Sequence, residues 1–469
     1  MPGGWSSCFA RAVFALIVFA ILLSAILIRP PKWLTHFDQS LYLTIAYDLN
    51  HHGVFSNGVL DRASSTVAAP PPGMFFAPVY PWLVVAATKI DGRFARAVDC
   101  SVEADRKVRD STECEAYARP IHIMHAAFLA AGVLAIAFAA EFIFASSTVF
   151  WLAGGLATLA LLPDADLFSF AMTESLTFAL YSMAALALVL ALRAPRVRRM
   201  VPVGILFGLL CLTRPSFAVL APVVIGLIVV DGLWLSPMAA RSILAHALAF
   251  ALAWLLVVGP WLVRNAVSVG KWGLTEEYGS AALVERFAFD DMRRREFVLA
   301  FPYCLPGIGA PAVDWAFGRQ AMARFVYSTP GSFFEAGRLH RERLLQAHGR
   351  LDPLIKDLIR DEMRQRGWHY LLTGLPLAWC GMWVGGLLGL ALVPLFAWAC
   401  VAAIRRSKPL FLIYAAPPVV MLGLHAAVAN PSTRYNLILI GPFAAGTAWI
   451  IARMMSPARR QQATQQVGG

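Results

Sequence analysis

Residues 171–200 read AMTESLTFALYSMAALALVLALRAPRVRRM. The stretch contains an apolar run that begins just after Glu174 and is followed by four arginines. A run of about 20 apolar residues is long enough to cross a hydrocarbon core of roughly 30 Å as a helix. Arginines that directly follow such a run are typical of the cytoplasmic end of a transmembrane helix. The stretch therefore predicts a membrane span whose Glu174 end faces outwards.

The rest of the chain repeats this pattern. Of the 469 residues, 59% are hydrophobic and 14% are charged, whereas soluble domains carry roughly 25% charged residues. We therefore expect an all-α polytopic membrane protein with about ten transmembrane helices, forming a single domain over residues 1–460 and followed by a disordered cytoplasmic tail, 461–469. The predicted spans are 11–28, 121–144, 148–163, 168–192, 201–213, 215–235, 242–263, 371–403, 409–428 and 435–455.

Basic residues in short connections predict the orientation of the bundle. Arginines and a lysine cluster at 193–199, at 405–408 and in the tail after Arg453, and the positive-inside rule assigns all three segments to the cytoplasm. Two long segments, 29–120 and 265–370, then become extracytoplasmic loop regions, and both contain amphipathic helical patterns. The net charge of +12 is accounted for by membrane orientation and anionic lipid, so nucleic acid is not an expected partner. The expected location is the inner (plasma) membrane.

The cysteines suggest one disulfide. Cys100 and Cys114 lie in a polar segment of the first loop region, and in an oxidising compartment they could close a small ring. Cys380 lies within an apolar span and is interpreted as a packing residue, while Cys304 has no obvious partner.

The first loop region also contains the first candidate catalytic residue. Asp38 begins the segment FDQSLYLTIAYDLNHHGVF, in which Asp38, Tyr42, Ile45 and Leu49 recur at helical spacing. A carboxylate at the start of a helix is favoured by the helix dipole and could face the mouth of the bundle. The alternative is that Asp38 only caps this helix.

Further polar residues lie at the predicted outer ends of the spans. Guanidinium groups suit phosphate because they form planar, two-pronged hydrogen bonds, although a single arginine in such a position is commonly an interfacial anchor. The candidates are Glu174, Arg214, Arg264, Arg434 and Tyr435.

An ordered set of motifs resembles one family. DQSLYLTIAYDLNHHGVFS is similar to a segment of the first extracytoplasmic loop of GT-C glycosyltransferases. The PPG…P-x-Y-P stretch, TES, GLLCLTRP, PWLVRN and STRYN also look like motifs of that superfamily, in the same order. The nearest likeness is to bacterial members grouped with protein O-mannosyltransferases and aminoarabinose lipid A transferases, over about residues 10–450.

The resemblance implies transfer of a sugar from a polyprenyl-phosphate carrier to an envelope glycan, lipid or protein, with inversion at the anomeric carbon. It implies that Asp38 is the general base or positions the acceptor, and that Arg434, Arg264 and Arg214 bind the donor phosphate. Tyr42, Glu174 and Tyr435 are expected to support them.

Many members of the family carry two adjacent acidic residues where this chain has Asp38 followed by Gln39. No cofactor is therefore expected, and a divalent metal is possible but not indicated.

Two other functions remain open from the sequence. A polytopic lipid or glycan transporter or flippase would have the same composition, but transporters usually show inverted repeats and broken helices at the midplane. A catalytically inactive scaffold protein is the other alternative.

Overall fold

The computed structural model of the chain describes residues 4–29, 34, 38–58, 69–106 and 114–467. These residues form helices and connections, with no β-strand among them. The fold class predicted from the sequence, an all-α polytopic membrane protein, is confirmed. The last two residues of the predicted tail lie outside the described residues, and the last helix is described as far as Val467.

Nine described segments are long and apolar enough to cross a membrane. Five are single α-helices. Two include one 3-10 turn, at the end of Ser147–Asp164 and at the start of Gly386–Arg405. Another begins with the 3-10 segment Thr433–Leu439, and the last, Pro215–Leu235, combines 3-10, α- and π-helical turns. The α-helices of these spans are α1 (Gly4–Leu27), α5 (Arg119–Phe144), α6 (Ser147–Leu161), α7 (Glu174–Arg193), α9 (Leu220–Val230), α10 (Ala240–Ser268), α16 (Gly389–Arg405), α17 (Pro409–Val428) and α18 (Ile440–Val467).

A tenth predicted span, 201–213, forms the shorter helix α8 (Met200–Cys211). Its 12 residues are about 18 Å long at 1.5 Å per residue, less than the thickness of a hydrocarbon core. Arg214, just past α8, nevertheless lies 3.6 Å from Glu174 at the start of α7. Since α7 runs away from Glu174 for 20 residues, α8 must bring the chain back to the same end of the bundle.

The predicted span 371–403 is wrong in its first part. Gly385 and Gly386 adopt positive φ angles of 82° and 57°, a backbone conformation that favours glycine and interrupts a helix. The chain therefore divides into α15 (Ile355–Gly381) and α16, and among these only the segment Gly386–Arg405 qualifies as a span. The turn at Gly385 packs on Ala160 of α6. Its residues are therefore apolar, and the hydrophobicity of the sequence does not fall between the two helices.

Burial separates central from peripheral helices. Within their most apolar 18-residue windows, 78% of the residues of the α7 and α18 spans are buried inside the protein, against 28% for the α10 span and 17% for α1. The exposed apolar side chains of α10 include Leu252 and Leu256. A helix whose exposed side is apolar along its whole length is stable only in contact with lipid. These peripheral helices therefore face the lipid.

The described part of the first loop region contains three helices, α2 (Gln39–His52), α3 (Val79–Ile90) and α4 (Gly92–Arg106). Ile45 and Tyr80 are fully buried between α2 and α3. Cys100 and Cys114 are joined by a disulfide that ties α4 to the segment before α5. These three helices thus pack together at one end of the bundle.

The second loop region contains α11 (Tyr278–Phe287), α12 (Arg294–Tyr303), α13 (Gly309–Phe317), α14 (Phe333–His348) and α15. The amphipathic pattern expected from the sequence is divided at Gly349, which has a φ of +72° and ends α14. Arg286 of α11 is fully buried and donates to Asp290, to Thr373 of α15 and to the carbonyl of Ala426 near the end of α17.

A second disulfide, between Cys304 and Cys380, was not expected. Cys380 was interpreted as a packing residue and Cys304 as unpaired, and both interpretations are wrong. The two cysteines are 76 residues apart and meet because α15 packs against α12. The bond fixes the second loop region to the segment that precedes α16.

Candidate functional site

Asp38 is placed at the start of α2, but its side chain does not cap that helix. It is the N-cap residue and forms no side-chain capping hydrogen bond. Its Oδ2 instead accepts a hydrogen bond from Nη2 of Arg434 at 3.0 Å, and 47% of the side chain is exposed. The capping alternative is therefore wrong for this carboxylate, which faces an ionic partner and remains open to solvent.

Arg434 lies in the 3-10 segment Thr433–Leu439 that leads into α18. The preceding helix, α17, ends at Val428, and Pro431 lies in the short connection. This turn places the guanidinium of Arg434 between two carboxylates. Its Nη2 donates to Asp38, and its Nε lies 3.9 Å from Glu174. One arginine thereby connects two carboxylates from different parts of the chain.

Glu174 and Arg214 complete the row of charges. Glu174 is the first residue of α7, where the positive end of the helix dipole favours a carboxylate. Its side chain is only 5% exposed, and its Oε1 lies 3.6 Å from Nη1 of Arg214. Arg214 precedes Pro215, which favours the extended backbone that Arg214 adopts. The order Asp38, Arg434, Glu174, Arg214 alternates negative and positive charges; we call these four residues the charge row.

Three tyrosines border the charge row. The ring of Tyr435 lies 5.1 Å from the guanidinium carbon of Arg214 and 5.0 Å from that of Arg434, within the range of cation–π attraction. Tyr42 packs against Phe76 at 4.6 Å, and Phe76 packs against Tyr278. Burial raises the pKa of Tyr42 well above its usual value and that of Tyr278 to about 12. Both phenols therefore stay protonated at neutral pH, and neither can act as a base there.

Gln39, which directly follows Asp38, is bound to the protein backbone. Its side chain is fully buried, and its Oε1 accepts a hydrogen bond from the backbone N–H of Ala171 at 3.1 Å. A second carboxylate at this position would have to be buried next to the charge row, which is costly. The neutral amide instead joins the start of α2 to the connection before α7.

Arg264 does not join the charge row. Its Nη2 donates to the carbonyl of Phe55 at 2.9 Å and its Nη1 to the carbonyl of Gly73, both in the first loop region. Gly73 has no space for a side chain because Asn57 passes directly beside it. In this structure Arg264 therefore joins two backbone segments of the loop.

Beside Arg264 there is an apolar groove with a volume of about 710 Å³. Its walls come from the first loop region and from α8 and α10, and they include Phe55, Pro72, Pro78, Leu212 and Trp261. Leu212 lies two residues from Arg214, and its carbonyl accepts a hydrogen bond from Val79. The groove and the charge row thus share the short segment 212–214 that follows α8.

One group of carboxylates in the described residues lies close enough to share a cation: Glu276, Glu277 and Asp352. Lys271 and Arg350 pair with Glu276. Asp352 accepts hydrogen bonds from Ser280 and from the backbone of Glu277. These oxygen atoms already have donors, and the group is held together as a loop crosslink.

The sequence did not reveal Tyr278 as a neighbour of the site. It lies in the second loop region at the start of α11, far from the recognised motifs. It contacts Phe75 and Phe76 of the first loop region, with ring centroids 5.5 and 5.6 Å apart. Only the Glu-Glu-Tyr sequence at 276–278 marks the position, and nothing in that pattern predicts its partner.

The fold and the charge row define the class: a polytopic helical membrane protein with an ionic site at one end of its bundle. No protein-family model matches the chain, and no curated protein matches it. Among solved structures it is similar to the oligosaccharyltransferase of Archaeoglobus fulgidus in the apo form, with 12% identity and a TM-score of 0.47. That match covers 99% of this chain and 53% of the other, so the chain spans about half the length of the oligosaccharyltransferase.

The chain is also similar to ArnT from Cupriavidus metallidurans, solved with undecaprenyl phosphate bound and in the apo state. The identities are 16% and 14%, and the TM-scores are 0.37 and 0.34. The matches cover 95% and 94% of this chain and 78% of each ArnT chain.

Proposed function

We propose that this protein is an inverting glycosyltransferase that moves a sugar from a polyprenyl-phosphate carrier to an envelope glycan, lipid or protein. The observation that carries the proposal is the contact between the exposed carboxylate of Asp38 and the guanidinium of Arg434. It brings a possible proton acceptor and a phosphate-binding cation to one end of a membrane bundle, in the motifs that resemble GT-C enzymes.

In the proposed reaction, Asp38 takes the proton of the acceptor hydroxyl as that oxygen attacks the anomeric carbon. The bond between the anomeric carbon and the phosphate oxygen breaks, and the electron pair leaves with the polyprenyl phosphate. One negative charge thus disappears from Asp38 while one appears on the phosphate. Arg434 can attract both groups. A fixed guanidinium would therefore stabilise the negative charge on Asp38 before the reaction and on the phosphate after it.

Glu174 and Arg214 have supporting roles in this proposal. Glu174 is buried and faces both guanidinium groups, so it holds the two arginines at one place despite their mutual repulsion. Arg214 lies at the far end of the charge row from Asp38 and would add a second cation for the departing phosphate.

The apolar groove next to Arg264 suits the hydrocarbon chain of the carrier. It is lined by prolines and aromatic rings and borders the short helix α8 and the membrane-spanning helix α10. Apolar walls favour a prenyl chain through burial of its surface. Arg264 would then position the loop that separates the prenyl chain of the carrier from the charge row.

We further propose that the charge row faces the extracytoplasmic side. Both disulfides, Cys100–Cys114 and Cys304–Cys380, belong to the loop regions at the same end of the bundle as Asp38. Disulfides persist in oxidising compartments and are rare in the cytosol. The basic connections at 193–199 and 405–408 lie at the opposite end, as the positive-inside rule requires.

The test is incubation of the purified, reconstituted protein with a panel of polyprenyl-phosphate sugars and an envelope extract, followed by mass spectrometry. We expect release of free polyprenyl phosphate and a glycosylated acceptor with one donor of the panel. A protein that releases no carrier from any donor, yet moves labelled polyprenyl phosphates across vesicles, would be a flippase, and the proposal would be wrong.

A further inference from the structure

A second pocket lies at the end of the bundle opposite the charge row. It is formed between the last turns of α16 and the middle of α18 and has a volume of about 440 Å³. Arg453 follows Arg434 by 19 residues along the α18 span, which corresponds to about 28 Å of helix. The pocket is therefore separated from the charge row by the thickness of the membrane. Its lining includes Trp398, Val401, Arg405, Arg406, Arg453 and Met454.

Three arginines give this pocket a strong positive charge. Among the described residues, no carboxylate forms an ion pair with Arg405, Arg406 or Arg453. Arg11 of α1, by contrast, is paired and lies 2.7 Å from Glu141. Arg453 instead rests on the ring of Trp449, with its guanidinium carbon 5.5 Å from the ring centroid. Three uncompensated cations at one opening attract a ligand of negative charge.

The rest of the lining is apolar, and part of it faces outwards. Trp398 is 53% exposed and Met454 is 54% exposed, on helices that cross the membrane. Tryptophan is enriched where the headgroups meet the hydrocarbon. An aqueous anion would gain nothing from these walls, whereas a lipid can place its phosphate among the arginines and its chains along the apolar side chains.

We infer that this pocket binds the headgroup of an anionic phospholipid of the host membrane. It is a separate site from the charge row and does not depend on the glycosyltransferase proposal. The ligand differs from the proposed carrier because the pocket opens at the opposite membrane surface. Basic pockets between transmembrane helices at this surface are suited to such headgroups.

The experiment is native mass spectrometry of the delipidated full-length protein, titrated with phosphatidylglycerol or with phosphatidylcholine. The test variant is Arg406→Gln/Arg453→Gln. The matched control is Arg196→Gln/Arg198→Gln, which removes two exposed arginines from another basic connection. We expect a preference for phosphatidylglycerol in the unmodified protein, roughly 30-fold weaker binding in the test variant, and little change in the control.

Three outcomes would overturn the inference. Equal binding of the two lipids by the unmodified protein would mean that the headgroup charge is not recognised. Equal weakening in the test variant and the control would mean that diffuse surface charge attracts the lipid. Displacement of phosphatidylglycerol by inorganic phosphate at the same concentration would mean that the apolar walls contribute nothing and that the site takes a free anion.

Discussion

Arg434 and Asp38 are 396 residues apart in the sequence, and their side chains meet at 3.0 Å. The contact joins the start of the first loop region to the turn that begins the last membrane span. It explains why the capping position of α2 holds a carboxylate that forms no capping bond. Two segments that are far apart in the sequence thus form one site.

Removal of the Arg434 guanidinium should weaken donor binding. Arg434→Ala leaves both Asp38 and Glu174 without their shared cation, and a charged hydrogen bond contributes about 1.5–3 kcal/mol. We expect the dissociation constant of the polyprenyl phosphate to rise roughly 10- to 100-fold in a lipid-binding titration. Arg324→Ala is the control, because Arg324 also pairs with a carboxylate, Glu296, but in the second loop region. Unchanged carrier affinity in Arg434→Ala would make this arginine a structural anchor.

Neutralising Glu174 should affect stability and binding together. Glu174→Gln keeps the size of the side chain but leaves Arg214 and Arg434 without the buried charge between them, and breaking such a pair costs on the order of 2 kcal/mol. We expect a lower thermal unfolding midpoint and weaker carrier binding. The control Glu296→Gln removes another little-exposed carboxylate that pairs with an arginine, and it should lower the midpoint without a change in carrier affinity. Carrier affinity that stays normal in Glu174→Gln contradicts its role in positioning the two arginines.

Arg264→Gln should loosen the first loop region. The substitution removes donors to the carbonyls of Phe55 and Gly73, so the backbone around them should open more often. Hydrogen–deuterium exchange of the segments 53–58 and 69–79 should become faster, while α11 and α14 in the second loop region keep their exchange rates. If exchange is unaltered but carrier affinity falls, Arg264 binds the phosphate directly, as the sequence motif suggested.

The cysteines provide a test of the two loop regions. Cys8, Cys211 and Cys400 are free, and the other four cysteines form two disulfides. Alkylation of the denatured, unreduced protein should therefore label three thiols, and labelling after reduction should reach all seven. Peptide mapping should identify the pairs Cys100–Cys114 and Cys304–Cys380. If seven thiols are labelled without reduction, neither disulfide is present, and the disulfides no longer support an extracytoplasmic site.

Hydrophobic patterning predicted most of the bundle because membrane spans require long apolar runs. It failed at 371–403, where Gly385 and Gly386 break the helix without any loss of hydrophobicity. The pair of glycines was visible in the sequence, but only their positive φ angles show that the chain turns there.

The site was predictable in its members but not in its arrangement. Arginines and acids at span ends mark Asp38, Glu174, Arg214 and Arg434 as candidates, because polar groups are costly at these positions. Which of them touch depends on helix packing over hundreds of residues, and Arg264, with the same sequence character, turns to backbone carbonyls instead. For the same reason, spacing alone did not reveal the bond between Cys304 and Cys380.

The role of Asp38 is tested most directly by the rate of sugar transfer in Asp38→Asn, measured in lipid vesicles beside the unmodified protein. Asp99→Asn is the matched control, since Asp99 is a partly exposed carboxylate of the same loop region that pairs with His51 at 3.0 Å.

We predict that Asp38→Asn loses transfer by roughly 10²- to 10⁴-fold while it still inserts and binds polyprenyl phosphate, and that Asp99→Asn transfers within about twofold of the unmodified rate, as is usual for surface substitutions. An Asp38→Asn protein that transfers sugar at the unmodified rate would mean that Asp38 is not the general base.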